Sequence, residues 1–292
     1  MPSRLTYVED APAKINLTLA VLGRRRDGYH LLESLVAFAD IGDRLSLVPG
    51  GTIKLIVRGL EYDVVGRLSR RFGGRAAHAL AREMPGLILG RFTLVKNLPV
   101  AAGLGGGSSD AAAALRLLAR ANRLKLNDPR IVQVAVRIGA DVPVCLDPRP
   151  RLMRGIGEEL SAPVRIPKLH VLLVNPGVAL ATKDVFVHFD RKKSPARLKA
   201  ANSPLIPQWR SAFVATLANG QNDLEAHAIA LVPDIAGVLE ALRESSGCRL
   251  ARMSGSGATC FGIFPSARAA ASAARRLKSA HQRWWVKTTA VT

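Results

Sequence analysis

Cysteine is scarce in this chain: Cys145, Cys248 and Cys260 stand alone and far apart. Such scattered thiols make neither a disulfide framework nor a zinc site, and they suit a reducing compartment. Aromatic residues are only 5% of the total, which leaves little to stack on the bases of a nucleic acid. No apolar run reaches membrane-spanning length, because charges, glycine or proline interrupt every candidate. Residues 1–10 lack the charged, then apolar, then small-residue order of a secretory signal. The expectation is a cytoplasmic protein with no membrane partner.

Acidic residues are also in short supply, 22 against 42 lysines and arginines, for a formal net charge of +20. A surface this basic attracts polyanions. The cations are nevertheless spread over residues 24–26, 67–75, 149–154 and 191–193 instead of forming one stripe. Arginine and alanine are used heavily throughout, a compositional bias. Small anionic ligands are therefore favoured over nucleic acid. The 292 residues, 48% of them hydrophobic, allow two domains of ordinary size with real cores.

Apolar periodicity outlines the elements. Residues 13–23 alternate, with Ile15, Leu17, Leu19 and Val21 on one face and Lys14, Asn16 and Thr18 on the other, which predicts a half-buried strand. Residues 44–48 and 52–58 read as strands joined by Pro49-Gly50-Gly51, an expected hairpin. A helical stretch covers 64–83, with Gly73-Gly74 as a candidate break, and 91–97 returns to a strand. Helix 109–121 follows, then a helix opened by Asp128-Pro129 and closed by Gly139, then a short strand at 142–146. Beyond Pro163 and Pro167 come a buried strand (169–174), helices near 208–217 and 234–245, strands 249–254 and 259–264, and a terminal helix, 266–280. Without regular strand–helix alternation the fold class is α+β, with a division near residue 165 into 1–164 and 165–292.

Between the strand at 91–97 and the helix at 109–121 runs Pro99, Val100, Ala101, Ala102, Gly103, Leu104, Gly105, Gly106, Gly107, Ser108, Ser109. Glycines let the backbone approach an anion with several N–H groups aimed at it, and the helix start adds unpaired amides and a positive dipole end. This predicts a phosphate cradle. It is not a Walker loop, because no lysine follows the glycines, and a dinucleotide fingerprint would need glycine where Ser108 stands. No Asp-Phe-Gly or His-Arg-Asp of a protein kinase occurs. Ser108 and Ser109 offer hydroxyls for capping, for phosphate oxygens or for Mg²⁺.

Asp141, just past Gly139 and before Pro143, sits where the chain turns abruptly, as either a proton acceptor or a simple turn or cap residue. Lys14 and Asn16 share one side of their strand, as a functional pair or as a solvated face. An ammonium beside a carboxylate favours its charged form and can stabilise a transferring phosphoryl group. Tyr29 and His30 follow the turn signal Asp27-Gly28, where a ring can stack on a pyrimidine and an imidazole can bond its edge.

The loop from Pro99 to Asp110 resembles the central motif of the GHMP kinases, small-molecule kinases with their own phosphate loop. Three further segments, in the same order along nearly the whole chain, are similar to a branch of that family with a cytidine-diphosphate-linked acceptor. These are Ala11-Pro12-Ala13-Lys14-Ile15-Asn16-Leu17 with Arg26-Asp27-Gly28-Tyr29-His30, then 138–144 around Asp141, then Met253-Ser254-Gly255-Ser256-Gly257-Ala258-Thr259. The resemblance implies a two-domain α+β architecture with the active site in the cleft between domains. It implies ATP as phosphoryl donor, Mg²⁺ with it on ligands left unassigned, and Lys14 and Asp141 as the catalytic pair. Asn16 would orient the acceptor, and Tyr29 and His30 would recognise cytosine. Phe186 would close over the base or else sit in the core, Thr182 would approach the diphosphate, and Lys96, with Asn97, would lie near the adenine. The turn at 255–257 would support the phosphate loop, or be a plain hairpin turn. The alternatives are a family member acting on homoserine, mevalonate or a sugar, and a nucleotide- or RNA-binding protein without catalysis.

Overall fold

The computed structural model describes residues 5–59, 62–192 and 206–292, without side chains for 62–72. The basic runs at 67–75 and 191–193, and the first part of the expected helix 64–83, thus fall partly outside the described residues. In chain order the first elements are β1 (Tyr7–Asn16), β2 (Ala20–Arg24), β3 (His30–Gly50), β4 (Lys54–Gly59), α1 (Tyr62–Glu83) and β5 (Leu89–Lys96). Next come α2 (Gly106–Ala121), α3 (Pro129–Ile138), α4 (Val142–Leu146), β6 (Arg151–Gly155), β7 (Glu159–Leu160), β8 (Leu169–Asn175) and α5 (Thr182–Arg191). The chain ends with α6 (Arg210–Ala218), α7 (Glu225–Leu231), α8 (Asp234–Glu244), β9 (Leu250–Met253), β10 (Cys260–Phe264), α9 (Ala267–Ala280) and β11 (Trp285–Val291).

Two compact units share these elements. The first takes Met1–Lys14, Ile41–Val100 and Gly105–Pro148. Its sheet runs β4-β5-β3. The expected hairpin of 44–48 with 52–58 does not form: β5 lies between the two strands, antiparallel to β3 (Leu47↔Phe92) and parallel to β4 (Leu55↔Phe92). Pro49-Gly50-Gly51 does turn the chain, but β4 pairs forward across the α1 crossover, a long-range choice that no turn residue encodes. Nor do Gly73-Gly74 break α1, which runs through them. A mid-helix glycine costs only about 1 kcal/mol. A Cβ on Gly73 would stand in ordinary contact with the Asp110 carbonyl, at 3.8 Å, so packing does not demand glycine there.

Helix α2 is buried from Ser109 to Ala119, which explains its alanine- and leucine-rich composition. Asp128 caps α3 by accepting the Arg130 amide hydrogen, as Asp128-Pro129 predicts. Residues 142–146, expected as a strand, form the short helix α4. Their valines suit either state, and Pro143 in the first turn suits a helix start. This correction places Asp141 immediately before a helix.

The second unit takes Ile15–Asp40, Ala101–Leu104 and Arg149–Thr292. The first half of β3 pairs with β2 and β6, and a second group runs β11-β8-β10-β9, antiparallel at each described pairing. Strand β8 is buried at every position but His170, as its unbroken apolar run predicts. Its Leu172 and Val174 join Leu239 and Leu242 of α8, Phe264 of β10 and Leu277 of α9 in one core. The expected strand at 13–23 is interrupted: β1 ends at Asn16 and β2 starts at Ala20. Both faces of its centre are interior, so Lys14 and Asn16 are not on a solvated face. No helix among the described residues is long and apolar enough to cross a membrane.

Candidate active site

The glycine-rich loop is divided between the units, Ala101–Leu104 belonging to the second and Gly105 onward to the first. Helix α2 starts at Gly106, earlier than the residue pattern suggests, so Gly106 and Gly107 are its first residues. Gly105 is the N-cap, left-handed at φ 62°, with no side chain to cap the helix. The Ser109 amide donates to the Gly105 carbonyl at 2.8 Å, which closes the first turn. The amides of Gly106, Gly107 and Ser108 then lie outside the intrahelical ladder, and no acidic residue stands in that turn. An anion is the natural complement of such a helix start. The Ser109 hydroxyl is committed elsewhere, donating to the Pro12 carbonyl at 2.6 Å.

Close backbone approach, not flexibility, explains the glycines. A Cβ on Gly103, where φ is +73°, would meet the Ser254 carbonyl at 2.3 Å. In the second unit the loop is stitched to the turn at 254–259: Ser254 Oγ donates to the Gly103 carbonyl at 3.0 Å, and the Thr259 amide to the Ala102 carbonyl at 3.1 Å. In the first unit a Cβ on Gly105 would lie 3.1 Å from the Lys14 Cβ. Lys14 is therefore packed directly against the residue that caps α2.

Lys14 Nζ lies 2.9 Å from Asp141 Oδ1, with the ammonium buried and the carboxylate about a third exposed, at 34%. Asp141 occupies the N-cap position of α4, yet its side chain caps nothing. The alternative of a plain capping role therefore fails. Arg116 of α2 secures α4 by donating to the Cys145 carbonyl at 2.6 Å. The Cys145 thiol is buried and pushed up to about 12, chiefly by desolvation and then by the Asp141 charge, so it is inert core.

Asn16 is almost fully buried in the second unit. Its Nδ2 donates to Ser34 Oγ at 2.8 Å, which fixes the amide, while Oδ1 is buried with no hydrogen-bond partner among the described residues. An unpaired buried acceptor is costly unless a ligand meets it. His30 stacks on Phe186, with centroids 4.6 Å apart and planes at 18°. Tyr29 is 60% exposed. Phe186 is only partly buried, so its expected place is neither wholly core nor wholly free. Thr182 Oγ1 is 2.8 Å from Ser256 Oγ, tying the start of α5 to the second glycine turn.

Lys96 has a different setting from the one expected beside adenine. Its ammonium is buried between Asp43, which it contacts closely, and Asp110, at 2.9 Å. Asp43 Oδ1 also accepts the amide hydrogens of Asn97 (2.6 Å) and Leu98 (2.9 Å). A Cβ on Gly106 would lie 3.6 Å from both Lys96 Nζ and Asp43 Oδ2. The side chain is a strut under the glycine-rich loop, bonded to both aspartates. Desolvation opposes its charge, but the two carboxylates outweigh it and raise its pKa. Asp110 moves from 3.8 up to about 8, first because it is fully buried, with Lys96 lowering it and the Asp43 charge raising it. Folded Asp110 thus holds a proton that the unfolded chain gives up, so its contribution to stability falls as pH rises from about 4 through about 8. Urea midpoints should drop between about pH 5 and pH 8, and Asp110→Asn should flatten that slope. An unchanged slope in the variant would place the titration elsewhere.

Similarity to known proteins fixes the family. The model described as GHMP kinases N terminal domain matches residues 69–147, and that described as GHMP kinases C terminal matches 210–282. The chain belongs to the GHMP kinases, and it is a small-molecule kinase. Within them it belongs to the 4-diphosphocytidyl-2-C-methyl-D-erythritol kinase family. The protein of that name from Methylobacterium radiotolerans is 53% identical over 98% of this chain and 99% of its own. A crystal structure of 4-(cytidine 5'-diphospho)-2C-methyl-D-erythritol kinase is 32% identical, with a TM-score of 0.75 over 97% of this chain and 99% of the other. A homoserine kinase from Cytophaga hutchinsonii, 17% identical, shares the fold, with a TM-score of 0.68 over 100% of this chain and 96% of its own.

The structure also reveals participants that the residue pattern left out. Asp43 and Asp110 buttress the loop, Ser34 fixes Asn16, and Asp190 bonds His30 at 2.7 Å. Only Asp190 left a readable trace, one helical turn beyond Phe186 on α5.

Proposed function

We propose that the protein transfers the γ-phosphoryl group of ATP to the 2-hydroxyl of 4-diphosphocytidyl-2-C-methyl-D-erythritol, in non-mevalonate isoprenoid biosynthesis in the cytoplasm. The observation that carries the chemistry is the Lys14–Asp141 ion pair, packed against the residue that opens the phosphate-binding helix. Asp141 accepts the proton of the attacking hydroxyl, whose oxygen displaces the γ-phosphorus from ADP in line, with no phosphoenzyme. Lys14 and the free amides of the loop from Pro99 to Ser109 balance the charge that spreads over the transferring oxygens. Mg²⁺ supplies further neutralisation when it arrives with ATP; this hydroxyl-rich, carboxylate-poor loop fits an ion held mainly by the nucleotide's own phosphates.

For the acceptor, Asn16 offers its unpaired Oδ1, Thr182 flanks the diphosphate, and Tyr29, His30 and Phe186 receive the cytosine. Lys96 is assigned to support of the loop in place of adenine contact. In chain order, residues 1–164 carry the loop and the base, and 165–292 form the C-terminal kinase part. ATP turnover measured with this acceptor, homoserine, mevalonate and galactose should show activity on the cytidine compound alone. Turnover on mevalonate alone would overturn the proposal.

A further inference from the structure

Helix α5 brings three residues to the His30 ring. Phe186 stacks on its face, and one turn later Asp190 meets its edge. Phe189 contacts the ring edge to face, with centroids 5.9 Å apart at 85°. The imidazole is only 9% exposed, so its orientation is set by packing. Both carboxylate oxygens of Asp190 are engaged: Oδ1 lies 2.7 Å from His30 Nε2, and Oδ2 lies 3.3 Å from Arg24 Nη1. Arg24 is itself anchored, its Nε donating to the Gly28 carbonyl at 3.1 Å.

A carboxylate has no proton to donate, so the hydrogen between these groups belongs to His30 Nε2. In the neutral imidazole the other nitrogen, Nδ1, is then an acceptor. Among the described residues His30 Nδ1 has no partner. Cytosine and uracil differ at the 4-position, where one carries an amine that donates and the other a carbonyl that accepts. An acceptor facing that position bonds the amine and opposes the carbonyl lone pairs.

We infer that Asp190 is a positioning residue that selects the base: by holding the His30 hydrogen on Nε2, it presents Nδ1 to the 4-amino group of cytosine and rejects uracil. This rests on the proposal above that His30 meets the acceptor's base, and it adds how the base is chosen. The discrimination then rests on a residue that acts through the His30 ring. Asparagine at this position can turn its NH₂ toward Nε2, which moves the ring hydrogen to Nδ1 and converts the acceptor into a donor.

The test compares kcat/KM for the cytidine-diphosphate-linked acceptor and its uridine counterpart, using the full chain with saturating ATP. The native enzyme should prefer the cytidine compound by about 100-fold, the scale of one well-placed polar contact in a partly open site. Asp190→Asn should cut that ratio by about tenfold, through the acceptor KM, with kcat and the KM for ATP within about twofold of native. Asp190→Glu, which restores an acceptor for Nε2, should recover much of the ratio. A native-like ratio in Asp190→Asn overturns the inference while leaving cytosine recognition by His30 intact. If His30→Phe leaves both acceptor KM values unchanged, the base-recognition proposal falls and this inference with it. Should Asp190→Asn lose kcat and ATP affinity together, Asp190→Glu decides: a restored ratio supports the inference, and an unrestored one overturns it.

Discussion

Asp141→Asn is expected to lower kcat by about 10²–10⁴-fold while leaving the KM for ATP near its native value. The amide keeps the size of the carboxylate but cannot take the hydroxyl proton. ATP affinity should survive, because the free amides of Gly106, Gly107 and Ser108 and the packing of Gly105 do not involve Asp141. The fold should survive with a lowered melting temperature: Asp141 is a third exposed and caps no helix, but the buried Lys14 ammonium loses its carboxylate. Steady-state kinetics with a circular dichroism melt on the same preparation would check all three points. Full turnover in this variant would remove Asp141 from the reaction. Loss of ATP affinity alone would make it a nucleotide contact instead of the base.

Lys96→Met should cost stability before it costs chemistry. The substitution leaves Asp43 and Asp110, both fully buried, without the ammonium they share. Removing one partner of a buried ion pair costs about 3–5 kcal/mol, which corresponds to a fall in Tm of the order of 10 °C. Adding Asp43→Asn should recover part of that loss, because the buried carboxylate left without its cation is then gone. The outcome separates two roles for Lys96. A strut beneath Gly106 predicts a lower melting temperature that the second substitution relieves. An adenine contact predicts a raised KM for ATP with an unchanged melt, and that result would refute the strut.

Most of the secondary structure that frames the site follows from local pattern. Alternation in the first strands, the Asp128-Pro129 start of α3 and the unbroken apolar run of β8 each have a cause within a few residues. The failures are those where a distant partner decides. The 44–48 and 52–58 strands looked like a hairpin because a turn lies between them, yet β5 pairs with both. Residues 142–146 looked like a strand because valine favours sheets, yet no neighbouring strand pairs with them and Pro143 starts a helix. Lys14 and Asn16 occupied the polar side of an alternating segment, which reads equally well as a wet face. Burial on both sides makes them interior polar groups instead.

The sequence by itself determined the kinase family and the glycine-rich helix start proposed here as the phosphate cradle. The cradle needs only consecutive residues: glycines that admit a left-handed turn, then a helix whose first amides are unpaired, with no acid beside them. Four such segments in order are enough to define the family. Tertiary structure alone decided the electrostatics. Lys14 with Asp141, Lys96 between Asp43 and Asp110, and His30 against Asp190 are pairs between segments far apart in the chain. Whether an ammonium is a solvated surface charge or a buried counterion depends on the dielectric around it and on the carboxylate across from it. Both are set by packing between distant elements, and no local stretch of residues contains them.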